Sequence, residues 1–357
     1  MFTDDNNTAR QARGLAQWIA FAPSIFQAAR VLRETGLLAQ IEASGATGLS
    51  LAELEGATKI TKYATRVLAD AGLGMQLLTL RDGRYRTTKA AWFLLHDPMT
   101  RVNMNFTHEI NYRGMYSLDT ALAEGRPAGL ESFGSWPTVY QALTDLPPNA
   151  RLSWLAFDHY YSDLAFESGF AAIATRNHQR ILDIGGNTGR FARRCVASDN
   201  TLRVTIADLP GQLTLAQHEV AHAPGAERIT THGIDLLDES SQLPIGHDAI
   251  WMSQFLDCFG EAQIISILRR CRTAIAKNGR VYILEPLWDR QKDVMAAFCL
   301  QQTSLYFAAI ANGTSRIYTS DVMLELIQRA GLEIESIIEP IGIVHSLLVC
   351  KVADAVT

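Results

Sequence analysis

The sequence predicts an α/β protein: a doubly wound domain in its second half, preceded by a helical first half. Two observations carry this. From Gln179 onward, short apolar runs alternate with amphipathic helices, the pattern of buried parallel strands joined by crossover helices. Before that point apolar residues recur at helical spacing, interrupted by a single hairpin signal at Asp82-Gly83.

The first half opens with ARGLAQWIAFAPSIFQAARVLRETGLLAQI, helical by spacing and broken near Pro23. Its apolar face holds Leu15, Trp18, Ile19, Phe21, Ile25 and Phe26. Residues 49–95 then read as helix, turn, helix and hairpin, the outline of a winged helix. Such a module binds DNA or serves dimer contacts. Lys59 to Lys89 carries seven basic residues, but residues 1–150 balance fourteen basic against fourteen acidic, which favours dimer contacts. The expected boundaries are a winged-helix domain over 1–100, a helical connector over 101–175 and an α/β domain over 176–357. The connector is rich in aromatics, among them Phe157, Tyr160 and Tyr161 in FDHYYSD, as expected of a pocket wall that meets a small aromatic ligand.

In the second half QRILDIG, LRVTIAD, DAIWMSQF and RVYILEP are the expected strands. The helix EAQIISILRRCRTAIAKNG should close at Asn278-Gly279. SDVMLELIQRAGL is a helix, followed by two late strands. Ligands of such sheets bind outside the carboxyl ends of the strands, where Asp183, Asp208, Asp257 and Glu285 lie.

A chain of 357 residues, 48% hydrophobic, can bury sizeable cores, and a net charge of −5 argues against a general nucleic-acid coat. Five scattered cysteines without a CxxC suggest reduced thiols and no metal site. The polar N-terminus and the lack of an apolar run of about 18 residues lead us to expect a cytoplasmic protein that spans no membrane.

The turn after the first strand, Gly185-Gly186-Asn187-Thr188-Gly189-Arg190, departs from a dinucleotide fingerprint at Asn187 and Arg190, and a phosphate-binding GK[ST] is absent. Asp208 ends the second strand, where a carboxylate can accept both hydroxyls of a ribose. Ribose capture without a phosphate cradle suits a nucleoside such as S-adenosylmethionine.

With these residues in view, the layout resembles the class I methyltransferases with their Rossmann-like domain. It is closest in outline to the small-molecule O-methyltransferases that carry an N-terminal, largely helical winged-helix dimerisation domain, in a bacterial branch of aromatic secondary metabolism. ILDIGGNTG is similar to their first glycine motif, implicating Asp183, Gly185 and Gly186. TIADLP is similar to the ribose strand, implicating Asp208 and Leu209. GIDLLDESSQLPIGHDAIWM is similar to the adenine segment, which assigns Asp235 to the exocyclic amine and Leu236 to the ring face. Ser253, Gln254, Tyr161 and Ser162 complete the implied S-adenosylmethionine site, and Phe157 and Tyr160 the acceptor side. Gln302, Tyr306 and Arg316 are further acceptor candidates. The resemblance also implies a homodimer.

Two departures matter. Where plant members of the group place a His-Asp pair, this chain has Asp257-Cys258, and Ser253 stands at a usual Lys. Asp257, with Glu285 as its acidic neighbour, is therefore the candidate base or hydroxyl anchor, the alternative being a cap for the helix that follows. The expected reaction is methyl transfer to a phenol oxygen or the adjacent ring carbon. The alternatives are an enzyme of the same fold that binds the donor without methyl transfer, and a DNA-binding regulator.

Overall fold

The computed structural model describes residues 3–354, which divide into two compact units after Asn105. In the first unit a long helix, Ala9–Glu34, starts at a capping box in which Thr8 and Gln11 satisfy each other's backbone amides. Ser50 and Glu53 open the helix Leu51–Ala57 in the same way, and Thr61 caps Lys62–Gly74. Strands β1 (Leu49–Ser50), β2 (Leu78–Arg81) and β3 (Arg84–Thr87) form a small antiparallel sheet in the order β1-β3-β2. The hairpin turns at Asp82-Gly83, both at positive φ (53° and 71°), the conformation that suits the twist of its strands. The core is aliphatic: Leu32, Leu37, Leu38, Ile41, Leu54 and Ala69 are fully buried. The first helix leaves Leu15, Trp18, Ile19 and Phe21 exposed.

The second unit holds the sheet, and the helices between residues 106 and 174 belong to it. Strands β4 (Arg180–Ile184), β5 (Arg203–Asp208), β6 (Ile229–Gly233), β7 (His247–Ser253) and β8 (Ile275–Glu285) are parallel, and β9 (Leu332–Ile341) and β10 (His345–Val352) close the sheet antiparallel. The order is β6-β5-β4-β7-β8-β10-β9. The chain thus winds outward from β4 to β6, then returns to place β7 on the other side of β4. That reversal opens a crevice at the carboxyl ends of β4 and β7. Apolar clusters cover both faces, Ile250, Met252 and Leu268 on one and Phe191, Trp251 and Leu347 on the other.

Besides the first helix, which runs unbroken through Pro23 where the sequence predicts a break, two expectations need correction. The helix starting at Glu261 ends at Ala274, short of Asn278-Gly279. Ile275 already pairs with His247, and the chain bulges before Arg280 pairs with Ala249, with Asn278 at φ 67° inside the bulge. Sheet pairing overrides the helix-stop signal. The second concerns apolar runs: the helical run Val294–Ala311 is long and apolar enough to cross a membrane by length and composition. Its buried residues, Leu300, Tyr306 and Phe307 among them, pack into the second unit's own core.

Candidate functional site

A cavity opens at the carboxyl ends of β4, β5 and β7, walled on one side by the helix Pro148–Ala174. Its floor is the glycine turn. Gly185 sits at φ 71°, and a Cβ there would lie 2.2 Å from the ring of Phe255. A Cβ on Gly186 would lie 2.7 Å from Asp183 Oδ2. Both positions therefore exclude side chains. Asn187 takes a left-handed conformation (φ 49°) that Asn tolerates better than most residues.

That conformation aims the Asn187 amide at Asp208. Asp208 Oδ2 accepts it at 2.9 Å, and Oδ1 accepts the Leu209 amide at 2.7 Å. Burial pushes the Asp208 carboxyl up to about 6, with the two amides pulling the other way. Asp183 is pushed up to about 8, by burial and then by the charge of Asp208, and its Oδ2 has no hydrogen-bond partner. Asp235 accepts the Leu237 amide at 2.8 Å, and Arg270 holds the loop through the Leu236 carbonyl at 2.6 Å. Ser253 ends β7 with its hydroxyl buried and unpaired. Gln254 follows at φ 48°; its Oε1 accepts from His345 Nε2 at 2.6 Å. Burial pushes His345 down to about 3, so this imidazole is neutral.

The structure gathers Asp183, Gly185, Gly186, Asp208, Leu209, Asp235, Leu236, Ser253, Gln254 and Ser162 on the cavity wall. Asp257 and Glu285 lie just behind it. Asp257 sits in the short turn Leu256–Cys258, buried, accepting the Cys258 thiol at 3.4 Å. Burial pushes its carboxyl up to about 7, and the charge of Asp158 adds to this. It does not cap the following helix, whose first turn is held by Gly260 and Gln263. Glu285 is held well above the usual carboxylate range by burial and by Asp257.

Other expected residues fall elsewhere. Phe157 stacks on Phe106 at 4.0 Å, and Tyr161 lies beside it at 5.2 Å and edge-on to Tyr160 at 5.3 Å. Tyr306 stands behind the wall, its hydroxyl accepting from Trp154 Nε1 at 2.7 Å. Gln302 is exposed, and Arg316 pairs with Glu261 at 3.0 Å over the ring of Tyr318. Beside the expected Ser162, the helix Pro148–Ala174 brings Trp154, Asp158, His159 and Phe166 to the wall. Trp154, Asp158 and Phe166 share with Ser162 a spacing of four that marks one helix face, the signal that could have found them. Tyr140, Phe255, Cys258 and Phe259 complete the aromatic end. Among the described residues no group of three or more His, Cys, Asp or Glu could hold a metal ion.

Comparison with known proteins agrees with this geometry. A family profile for the O-methyltransferase domain matches residues 116–333, and one for a Dimerisation2-like domain matches residues 13–85. An L-tyrosine C(3)-methyltransferase of Streptomyces lavendulae is 24% identical over 327 residues, 90% of this chain and 87% of the relative. A 3-hydroxy-5-methyl-1-naphthoate 3-O-methyltransferase of Streptomyces sahachiroi is 28% identical over 267 residues, 72% of this chain and 73% of the relative. The apo crystal structure of the S-adenosylmethionine-dependent methyltransferase SibL superposes with a TM-score of 0.70 at 24% identity, covering 94% of this chain and 98% of that one.

Proposed function

The chain belongs to the O-methyltransferase family, and from that premise we propose how its residues move a methyl group from S-adenosylmethionine to a small aromatic acceptor. The observation that carries the reading is Asp208: a half-buried carboxylate held by two backbone amides, with lone pairs left to accept two ribose hydroxyls. Asp183 Oδ2 and Ser253 Oγ, buried polar atoms without partners, fit a polar ligand in the same cavity. Asp235 and Leu236 would hold the adenine, and the bare backbone of Gly185 and Gly186 would admit the amino-acid part. The donor supplies an electrophilic methyl on a sulfonium.

On the acceptor side, Tyr140, Trp154, Phe255 and Phe259 offer ring faces to a flat aromatic molecule. A phenol has a pKa near 10, and a carboxylate near 4 is a poor base for it. Asp257 at about 7 is better matched. Its contact with the cavity runs through Cys258, which donates to Asp257 and lines the wall. A phenolate reacts at oxygen or at the adjacent ring carbon. The two relatives, one C- and one O-methylating by name, support keeping both atoms.

The exposed apolar residues of the first helix and the Dimerisation2-like match support a homodimer, and favour dimer contacts over a DNA-binding role for the first unit. The test is incubation of the protein with S-adenosylmethionine and a panel of substituted phenols. S-adenosylhomocysteine should form, and fragmentation of the product should place the new methyl on oxygen or on the neighbouring carbon. A donor left intact with every acceptor, and no affinity for S-adenosylmethionine, would sink the reading.

A further inference from the structure

Asp158 belongs to no part of the division of labour above, yet it lines the cavity. It projects from the helix Pro148–Ala174 and accepts two amide donors, one from each end of the site. Asn187 Nδ2, on the glycine turn, donates to Oδ2 at 3.1 Å. Gln254 Nε2, at the exit of β7, donates to Oδ1 at 3.4 Å. The orientation of the Gln254 amide is set by His345, which occupies its oxygen. Asp158 is thereby held as an acceptor by neutral groups.

Among the described residues no Lys or Arg forms an ion pair with it. His159 Nδ1 stands 3.7 Å from it, but burial pushes that imidazole down to about 4, so it is neutral at pH 7. Arg190, whose charge reaches Asp158, is itself paired with Asp163. The other charged groups that face it, Asp163, Asp208 and Asp257, are acids. A carboxylate withdrawn this far from water, its side chain 23% exposed, is normally matched by a nearby cation. Here the missing positive charge has a cavity to arrive in.

Resting on the reading of this site as one for S-adenosylmethionine, we infer that Asp158 is the counter-charge for the donor's sulfonium and sets the preference for donor over product. The position decides between the donor's two cations. Asp158 is tied on one side to Asn187, whose amide holds the ribose-binding Asp208. On the other side it is tied to Gln254, three residues before Asp257, and its charge is felt there. A group between the nucleoside end and the acceptor end lies where sulfur must meet the acceptor. Methyl transfer converts the sulfonium to a neutral thioether, so a carboxylate at that place favours the charged donor and releases the product.

The test is calorimetric binding of S-adenosylmethionine and S-adenosylhomocysteine to the full chain and to two variants. Asp158→Asn should weaken the donor by about tenfold or more, the size of one charge-assisted contact. The product, which shares every other group, should lose less than about threefold. Asp158→Glu, which keeps the charge, should retain a preference for the donor. An equal loss for both ligands, or no loss for either, would overturn the inference while leaving the donor site in place. Wild-type protein that binds neither ligand would overturn the donor reading and this inference together.

Discussion

Glu285 holds the turn that carries Asp257. From the end of β8 its Oε1 accepts the amides of Phe255 at 2.9 Å and Leu256 at 2.7 Å, while the charge of Asp257 helps keep its own proton in place. Two adjacent buried acids thus sit differently: one holds the strand exit, the other meets the cavity wall through Cys258.

The pair can be separated by substitution. Asp257→Asn should keep the fold and the donor affinity while lowering turnover by on the order of 10²-fold, the usual size of a general-base contribution. The defect should shrink on a more acidic phenol, which needs less help losing its proton. Glu285→Gln should lower the melting temperature as well as the rate, because it disturbs an acceptor of two backbone amides. Near-normal turnover of Asp257→Asn on an ordinary phenol would remove it from the mechanism.

Asp208→Ala should weaken S-adenosylmethionine by about 1.5–3 kcal/mol, the cost of losing hydrogen bonds to a charged acceptor. The loss has a second source, since the substitution also frees the amides of Asn187 and Leu209 that it now holds. Calorimetry that returns an unchanged dissociation constant would contradict the ribose assignment.

Gly185→Val should be worse for a different reason. A side chain there meets the ring of Phe255 before it meets any ligand, and the backbone stands at φ 71°. The expected outcome is loss of donor binding together with a lower melting temperature. A variant with wild-type stability and affinity would mean that the turn adapts.

Local features of this site were legible in the sequence. The glycine turn, the acid closing β5 and the strand–helix alternation depend on backbone conformation and short-range pattern, which a sequence carries directly. Which face of a helix meets a cavity depends on the neighbour it packs against. Thus Phe157, Tyr160 and Tyr161 drew attention by their size, while Trp154, Asp158 and Phe166 line the wall beside the expected Ser162, from the adjacent face. Arg316 shows the same limit, its partner Glu261 being 55 positions away. The bulge at Asn278 does too, since a turn signal cannot announce that the strand beside it will take over.

The buried acids also set a pH dependence of stability. Above about pH 5 the carboxylates of the unfolded chain are ionised, with pKa values near 4. The folded protein still holds protons on Asp257, pushed up to about 7, and on Asp183, pushed up to about 8. The folded state therefore binds more protons, and stability falls as pH rises through this window. The melting temperature of the ligand-free protein should drop between about pH 5 and pH 8. In Asp183→Asn, where one of the two protons is no longer at stake, the drop should be smaller. A melting temperature that rises over the same range would show that these acids are already ionised at neutral pH.

The last expectation concerns the first helix. Leu15, Trp18, Ile19 and Phe21 are 54%, 44%, 66% and 60% exposed, and Leu15, Trp18 and Ile19 follow the i, i+3, i+4 spacing of one helical face. A contiguous apolar face of this kind marks an interaction surface, and the Dimerisation2-like match over residues 13–85 supports a second copy of the chain as its partner. Burying one such side chain contributes roughly 1.5–3 kcal/mol. Light scattering on micromolar protein should give twice the chain mass of 39.4 kDa. Ile19→Asp with Phe21→Asp removes two of these side chains and adds like charges that meet again across a symmetric contact, so dissociation should strengthen by at least about 10²-fold and the mass should fall toward that of one chain. Donor binding in the second unit should persist, because its cavity is lined only by residues 138–259. Wild-type protein that remains a monomer at high concentration, or a double variant that remains a dimer, would move the interface off this helix.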